Sequence, residues 1–157
     1  GANSGRDGDK AAACGMEYAY AEVGGNIIGA LEVEPAETAK YGIITPGTVN
    51  GRLTEVLEVI EKPAAGTAKS NLMTPGRYIL QPEVMQILDT PVRGAGGEIQ
   101  LTDAMAQLIG RQPFHGVTFD GRRFDCGDKA GFVQANVYMA LQDPGIGAST
   151  RTFLATL

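Results

Sequence analysis

Tyr41-Gly42-Ile43-Ile44-Thr45-Pro46-Gly47-Thr48-Val49-Asn50-Gly51-Arg52-Leu53-Thr54-Glu55-Val56-Leu57-Glu58-Val59-Ile60-Glu61-Lys62-Pro63 is the stretch that decides the fold class. Asn50-Gly51 stands between two β-like runs and is a strong short-range hairpin signal. Thr45-Pro46-Gly47 marks a further turn. From Leu53 to Ile60 the residues alternate: Leu53, Glu55, Leu57 and Val59 fall on one face, and Thr54, Val56, Glu58 and Ile60 on the other. Neither face is cleanly polar, which predicts a strand with partial cover. Pro63 removes a ladder donor and ends that strand, so Lys62 projects from its carboxyl end. Open α/β sheets place their ligands there.

Upstream, Ile27 to Val33 reads as a buried strand, and Glu34 to Thr38 as a turn with Pro35 at a first helical position. Met16, Ala19, Tyr20 and Val23 recur at helical spacing before the Gly24-Gly25 stop. Downstream, a polar loop from Ala64 to Ser70 precedes a strand over about Leu72 to Leu80, interrupted by Pro75-Gly76. Pro82 starts a short helix carrying Val84, Met85, Ile87 and Leu88. Gly94 to Gly97 forms a hinge into a second helix striped by Ile99, Leu101, Ala104, Met105, Leu108 and Ile109 and stopped by Gly110. Phe114 to Phe119 reads as a strand and Arg123 to Gly127 as a strand end. Lys129 to Leu141 reads as a helix with Phe132, Val133, Asn136, Val137 and Ala140 on its core side, closed by Pro144. Strands and helices that alternate only in part predict an α/β or α+β layered architecture. The segments are residues 1–15, a disordered leader or expression remnant; 16–143, the folded domain; and 144–157, a C-terminal tail.

The chain has 157 residues, 43% hydrophobic and 20% charged, enough to bury a core. Thirteen basic against 18 acidic residues give a net charge of −5, which argues against a nucleic-acid partner. No apolar run approaches the roughly 18 residues of a membrane span, and no secretory signal is evident. A cytoplasmic, membrane-free protein is expected. Cys14 and Cys126 lie far apart without metal-ligand spacing, and the lone His115, an ordinary strand histidine, has no second imidazole for a zinc site.

Three places could carry chemistry. In Glu61-Lys62-Pro63, a carboxylate suits paired sugar hydroxyls and an ammonium suits a phosphate, although a solvated charge pair also accounts for the dipeptide. Asp125 could ligate a hard divalent cation, and Asp128 would cap the following helix. On spacing alone, capping accounts for either better than a metal does. Gly42 lets a ligand meet the backbone, or merely begins a strand. Glu98 suits the positive end of a helix dipole, which is a sufficient structural reason for it.

Read in order, Tyr41-Gly42-Ile43, Glu61-Lys62-Pro63, Ser70-Asn71, Gly76-Arg77-Tyr78, Gly97-Glu98-Ile99-Gln100-Leu101-Thr102-Asp103 and Asp125-Cys126-Gly127-Asp128-Lys129 closely resemble the bacterial UTP–glucose-1-phosphate uridylyltransferases. The resemblance covers about Met16 to Leu141 and matches the C-terminal half of that family. It implies a Rossmann-like nucleotidyltransferase fold with a mixed sheet and flanking helices, truncated to that half. It also implies the joining of UTP to glucose 1-phosphate with Mg²⁺, giving UDP-glucose and pyrophosphate. By that resemblance Glu61 would accept hydrogen bonds from glucosyl hydroxyls, Lys62 would contact the sugar-linked phosphate, Gly42 would bring its backbone near the sugar, and Asp125 would be the second carboxylate on the Mg²⁺. The family's G-x-G-T-R loop, which wraps the triphosphate, and its first metal-binding aspartate have no counterpart in these residues. The expectation is therefore a half-site: inactive alone, binding sugar phosphate or UDP-glucose weakly. An uncovered strand edge would make it a homo-oligomer, by dimerising or by swapping elements.

Overall fold

The computed structural model describes residues 15–90, 100–119 and 121–157. The chain divides into a larger unit, Ala12–Phe119, and a smaller one containing Asp120–Leu157. Residues 1–14, with Cys14 and all but the last residue of the expected leader, and residues 91–99, with Gly94 to Gly97, Glu98 and Ile99, lie outside the described residues.

The larger unit opens with helix α1 over residues 15–23, which ends as the Gly24 N–H returns to the Tyr20 carbonyl. Strand β1 (Asn26–Glu32) follows, then a 3-10 helix over Pro35–Lys40 with proline at its start. The hairpin of β2 (Gly42–Asn50) and β3 (Leu53–Glu61) turns where expected, with Asn50 paired to Leu53. The expected strand after Asn71 is two short pieces, β4 (Leu72–Met73) and β5 (Tyr78–Ile79), separated at Pro75-Gly76. Helices α2 (Glu83–Leu88) and α3 (Leu101–Leu108) precede β6 (Phe114–Thr118).

These strands make one mixed sheet in the order β4-β2-β3-β6-β1-β5, with β1 and β6 parallel and the other pairs antiparallel. Met73 of β4 pairs with both Leu31 of β1 and Ile43 of β2, so the sheet closes on itself. As a result β1 has β6 along one edge and β4 and β5 along the other. Both edges of β1 are therefore paired along part of their length.

Because β1 is buried on both faces, its residues feed two cores. Ile28 and Ala30 join Ile44, Val56, Val59, Val84, Ala104, Met105, Leu108 and Phe114, on the side of α2 and α3. Ile27 joins Met16, Ala19 and Val117, on the side of α1. An apolar run without alternation is what two-sided burial requires.

Two expectations for the hairpin are corrected. Thr45-Pro46-Gly47 is no turn but part of β2. The register shifts there: Thr45 faces Glu58, Pro46 faces Val56 and Val49 faces Thr54, so first β3 and then β2 carries an extra residue. Proline is tolerated in a strand at such a bulge because no ladder bond is asked of its nitrogen. The bulge also overturns the two-face assignment of β3, since one extra residue exchanges the faces. Thr54 and Val56 are buried before it and Val59 after it, while Leu57 is exposed. That change of phase turns Glu61 toward the interior.

In the smaller unit, residues 121–125 make no strand, contrary to expectation, and helices α4 (Lys129–Gln142) and α5 (Gly147–Leu154) follow. Asp128 caps α4 as expected, its carboxylate accepting from the Gly131 N–H. Phe132, Val133 and Asn136 are exposed rather than on a core side. The apolar residues of α4 are spread around the helix, and no single stripe directs them to one partner.

Candidate functional site

Gly42 begins β2 directly opposite Glu61, the last residue of β3. A Cβ on Gly42 would lie 2.8 Å from Thr74 Oγ1 and 3.0 Å from Glu61 Oε2. The missing side chain is thus the space in which the Glu61 carboxylate sits. Thr102, buried in the first turn of α3, donates its hydroxyl to Glu61 Oε2 at 2.9 Å. The other oxygen, Oε1, lies 4.0 Å from Lys62 Nζ. Glu61 is mostly covered, with a side-chain exposure of 20%, while Lys62 is 64% exposed and available to a ligand.

Lys62 carries the only positive φ of a non-glycine residue among those described, +47°. Its N–H still donates to the Tyr41 carbonyl at 3.0 Å, so the hairpin ladder runs one step past β3 before the chain turns. A left-handed conformation costs an L-residue energy that glycine does not pay. Lys62→Gly is therefore expected to raise stability by about 1 kcal/mol, read as a higher urea midpoint. An unchanged or lower midpoint would show that the conformation carries no strain.

Around this pair, Thr74 donates its N–H to the Gly42 carbonyl at 2.9 Å, and the Tyr78 hydroxyl lies 3.3 Å from Thr74 Oγ1. Burial holds the Tyr78 phenol above its ordinary pKa, opposed by its hydrogen bond to Thr74 and reinforced by the negative charge of Glu61. Tyr78 therefore stays a neutral donor or acceptor beside the carboxylate. Of the four residues expected from sequence, Gly42, Glu61 and Lys62 lie together here, and Asp125 is described below. Thr74 and Thr102 were not expected, because they come beside this group only through tertiary packing.

Asp125 belongs to the smaller unit. Its Oδ1 accepts from the Gly127 N–H at 3.1 Å, and its Oδ2 is 3.6 Å from Arg123 Nη2. Its backbone lies against α4, where a Cβ on Gly131 would come within 2.1 Å of the Asp125 carbonyl oxygen. Phe124 packs on Tyr138, and the Arg122 guanidinium stands 4.9 Å above the same ring. Among the described residues no three His, Cys, Asp or Glu side chains are grouped to hold a metal. Mg²⁺ needs only one or two carboxylates beside phosphate oxygens and water, a requirement that the exposed carboxylate of Asp125 could meet in part.

A hollow of about 450 Å³ lies further back on β3, lined by Glu55, Leu57, Arg111, Gln112 and His115 among others. His115 sits in β6 with its Nδ1 buried and unpartnered among the described residues. Among those residues no helix is long and apolar enough to cross a membrane.

A mixed sheet with flanking helices, and a Glu-Lys pair at the carboxyl end of one strand, define a class that comparison makes explicit. The model of the nucleotidyl transferase family matches residues 13–141, and the chain belongs to that family. Within it, the chain is similar to the UTP–glucose-1-phosphate uridylyltransferase of Staphylococcus epidermidis, 42% identical over 138 residues, 88% of this chain and 48% of the relative. The same enzyme of Staphylococcus haemolyticus is 48% identical over 125 residues, 80% of this chain and 43% of the relative. Among solved structures, a UDP-glucose pyrophosphorylase complexed with UDP-glucose superposes with a TM-score of 0.73 at 35% identity, covering 78% of this chain and 47% of that one. The UTP-bound enzyme from Acinetobacter baumannii gives 0.78 at 30% identity, covering 90% and 49%. The chain thus spans just under half the length of these relatives.

Proposed function

We propose that this chain supplies the sugar-phosphate side of a uridylyltransferase that makes UDP-glucose and pyrophosphate from UTP and glucose 1-phosphate. One observation carries the reading: Glu61 has one carboxylate oxygen tied to Thr102 and the other facing a strained, exposed Lys62. Glu61 Oε1 accepts a glucosyl hydroxyl, the Lys62 ammonium neutralises the phosphate attached to the sugar, and the Gly42 backbone forms the floor beneath the ring. The phosphate oxygen of glucose 1-phosphate attacks the α-phosphorus of UTP in line. A new P–O bond forms as the bond to the bridging oxygen breaks, and pyrophosphate leaves with the electron pair. This chain contributes position and charge, and no side chain becomes a covalent nucleophile. A bound Mg²⁺, with Asp125 as one of its ligands, would supply charge neutralisation on the phosphates.

The triphosphate-wrapping loop is not among these 157 residues. Supplied alone with UTP, glucose 1-phosphate and Mg²⁺, the polypeptide is expected to form no UDP-glucose, yet to bind glucose 1-phosphate and UDP-glucose weakly in calorimetry. Lys62→Ala should weaken both by about tenfold, the scale of one charge-assisted contact. Turnover by the purified chain would overturn the half-site reading, and unchanged binding by Lys62→Ala would overturn the phosphate role.

A second reading, a non-catalytic module that pairs with its own copy, is supported by Phe132, Val133, Ile146 and Phe153, each more than half exposed. A sedimentation coefficient that stays monomeric with rising concentration would dispose of it. The acidic balance supports the absence of a nucleic-acid partner, and nucleotide-sugar substrates support a cytoplasmic location.

A further inference from the structure

Thr102 reaches Glu61 from a separate element, 41 residues further along the chain, and donates a hydrogen bond to it. It stands in the first turn of α3, three residues before Met105, which is fully buried, so both lie on the helix face that packs inward. Ala104 and Leu108 belong to the same core, so the phase of α3 is held by packing. Thr102 is itself only 5% exposed. A carboxylate can only accept, so in this 2.9 Å contact the threonine hydroxyl is the donor.

The terminal torsion of a glutamate is broad and roughly two-fold, so packing of its stem does not orient the carboxylate plane. A hydrogen bond to one oxygen does. With Oε2 held on Thr102, the plane is set and Oε1 is presented on the side of Lys62. We propose that Thr102 is a positioning residue: its hydroxyl fixes the Glu61 carboxylate so that one oxygen is reserved for a hydroxyl of the sugar. This rests on the reading of Glu61 as the sugar contact and extends it to a residue that itself need not touch the ligand. The advantage is pre-organisation, since a carboxylate that is already oriented loses less freedom when the sugar binds.

The test uses the 157-residue chain as Thr102→Val, Thr102→Ala and Thr102→Ser, with two readouts. Without ligand, the side-chain carboxyl ¹³C resonance of Glu61 should move in Thr102→Val and return toward the wild-type position in Thr102→Ser. With ligand, glucose 1-phosphate should bind about tenfold more weakly to Thr102→Val, and within about twofold of wild type to Thr102→Ser, the scale of one hydrogen bond to a charged group. Binding of inorganic phosphate, which probes Lys62 without the sugar, should stay unchanged in every variant. Should Thr102→Val fail to fold, Thr102→Ala must show the same loss of preference for the sugar phosphate over inorganic phosphate. A wild-type preference that survives in Thr102→Val or Thr102→Ala overturns the positioning role and leaves the sugar-phosphate reading standing. A wild-type chain that never prefers glucose 1-phosphate to inorganic phosphate overturns both.

Discussion

Asn26→Ala is expected to destabilise the larger unit by about 2–6 kcal/mol, the cost of leaving two hydrogen-bonding groups without a partner. Asn26 is fully buried at the head of β1. Its Oδ1 accepts the Gln81 N–H at 2.8 Å, and its Nδ2 donates to Gln112 Oε1 at 2.9 Å and to the Pro113 carbonyl at 3.3 Å. Gln81 in turn donates its side-chain amide to the Gly25 carbonyl at 2.7 Å. The Asn26 amide therefore ties the entry to α2 and the entry to β6 onto β1, and the Gln81 side chain extends the network to the end of α1. Alanine would leave the Gln81 N–H and the Gln112 carbonyl without a partner, and each orphaned group costs about 1–3 kcal/mol. The check is the urea midpoint, and a loss below about 1 kcal/mol would mean that water repairs the gap. Asn26→Asp gives the sharper version, because a carboxylate would face the acceptor oxygens of Gln112 and Pro113. The folded state would then favour the protonated acid and raise its pKa. The variant's stability should be greatest in acid and fall as pH rises through the raised value, while wild type measured beside it shows no such loss.

The parts of this structure that could be read from sequence are those set by neighbouring residues. Asn50-Gly51 placed the hairpin, Pro35 opened its short helix, and Asp128 capped α4, because each effect is exerted over two to four positions. The β2–β3 bulges were not legible. Leu53 to Ile60 alternates whether or not a residue is extra, and only the partner strand decides which face Val59 and Glu61 take. Pro46 read as a turn for the same reason, since proline is compatible with either a turn or a bulge. Arg123 to Gly127 has the composition of a strand end but finds no partner strand, and its aromatic residue packs on α4 instead. At the site, Glu61, Lys62 and Gly42 were visible because they lie at the two ends of one hairpin. Thr102 carries no local signal: a threonine in the first turn of a helix is ordinary, and its role exists only once α3 is packed against β3. The left-handed backbone of Lys62 was equally hidden, since nothing in a Glu-Lys-Pro tripeptide requires it.

Gly42→Ala should separate binding from stability, and the separation identifies what the glycine is for. An added methyl would approach Thr74 Oγ1 to 2.8 Å and Glu61 Oε2 to 3.0 Å. Both are ends of side chains, so the strand can keep its place while they move. The strain of such crowding, about 1–3 kcal/mol, is partly offset by about 0.4–1 kcal/mol, because alanine restricts the unfolded chain more than glycine does. The net loss of stability should therefore be at most about 2 kcal/mol. Binding has no such compensation. The methyl occupies the space beside Oε2, and the carboxylate must leave either its bond to Thr102 or its position beside Lys62. Glucose 1-phosphate should bind at least about tenfold more weakly, with inorganic phosphate much less affected. Ile27→Val is the matched control, a buried position on the α1 side whose truncation costs about 0.5–1.5 kcal/mol. Its affinity should stay at the wild-type value, because general loosening of the sheet does not reach the carboxylate. Equal affinities in Gly42→Ala and wild type would mean that the ring of a bound sugar does not depend on this carboxylate, and the assignment of Glu61 as its acceptor would fail.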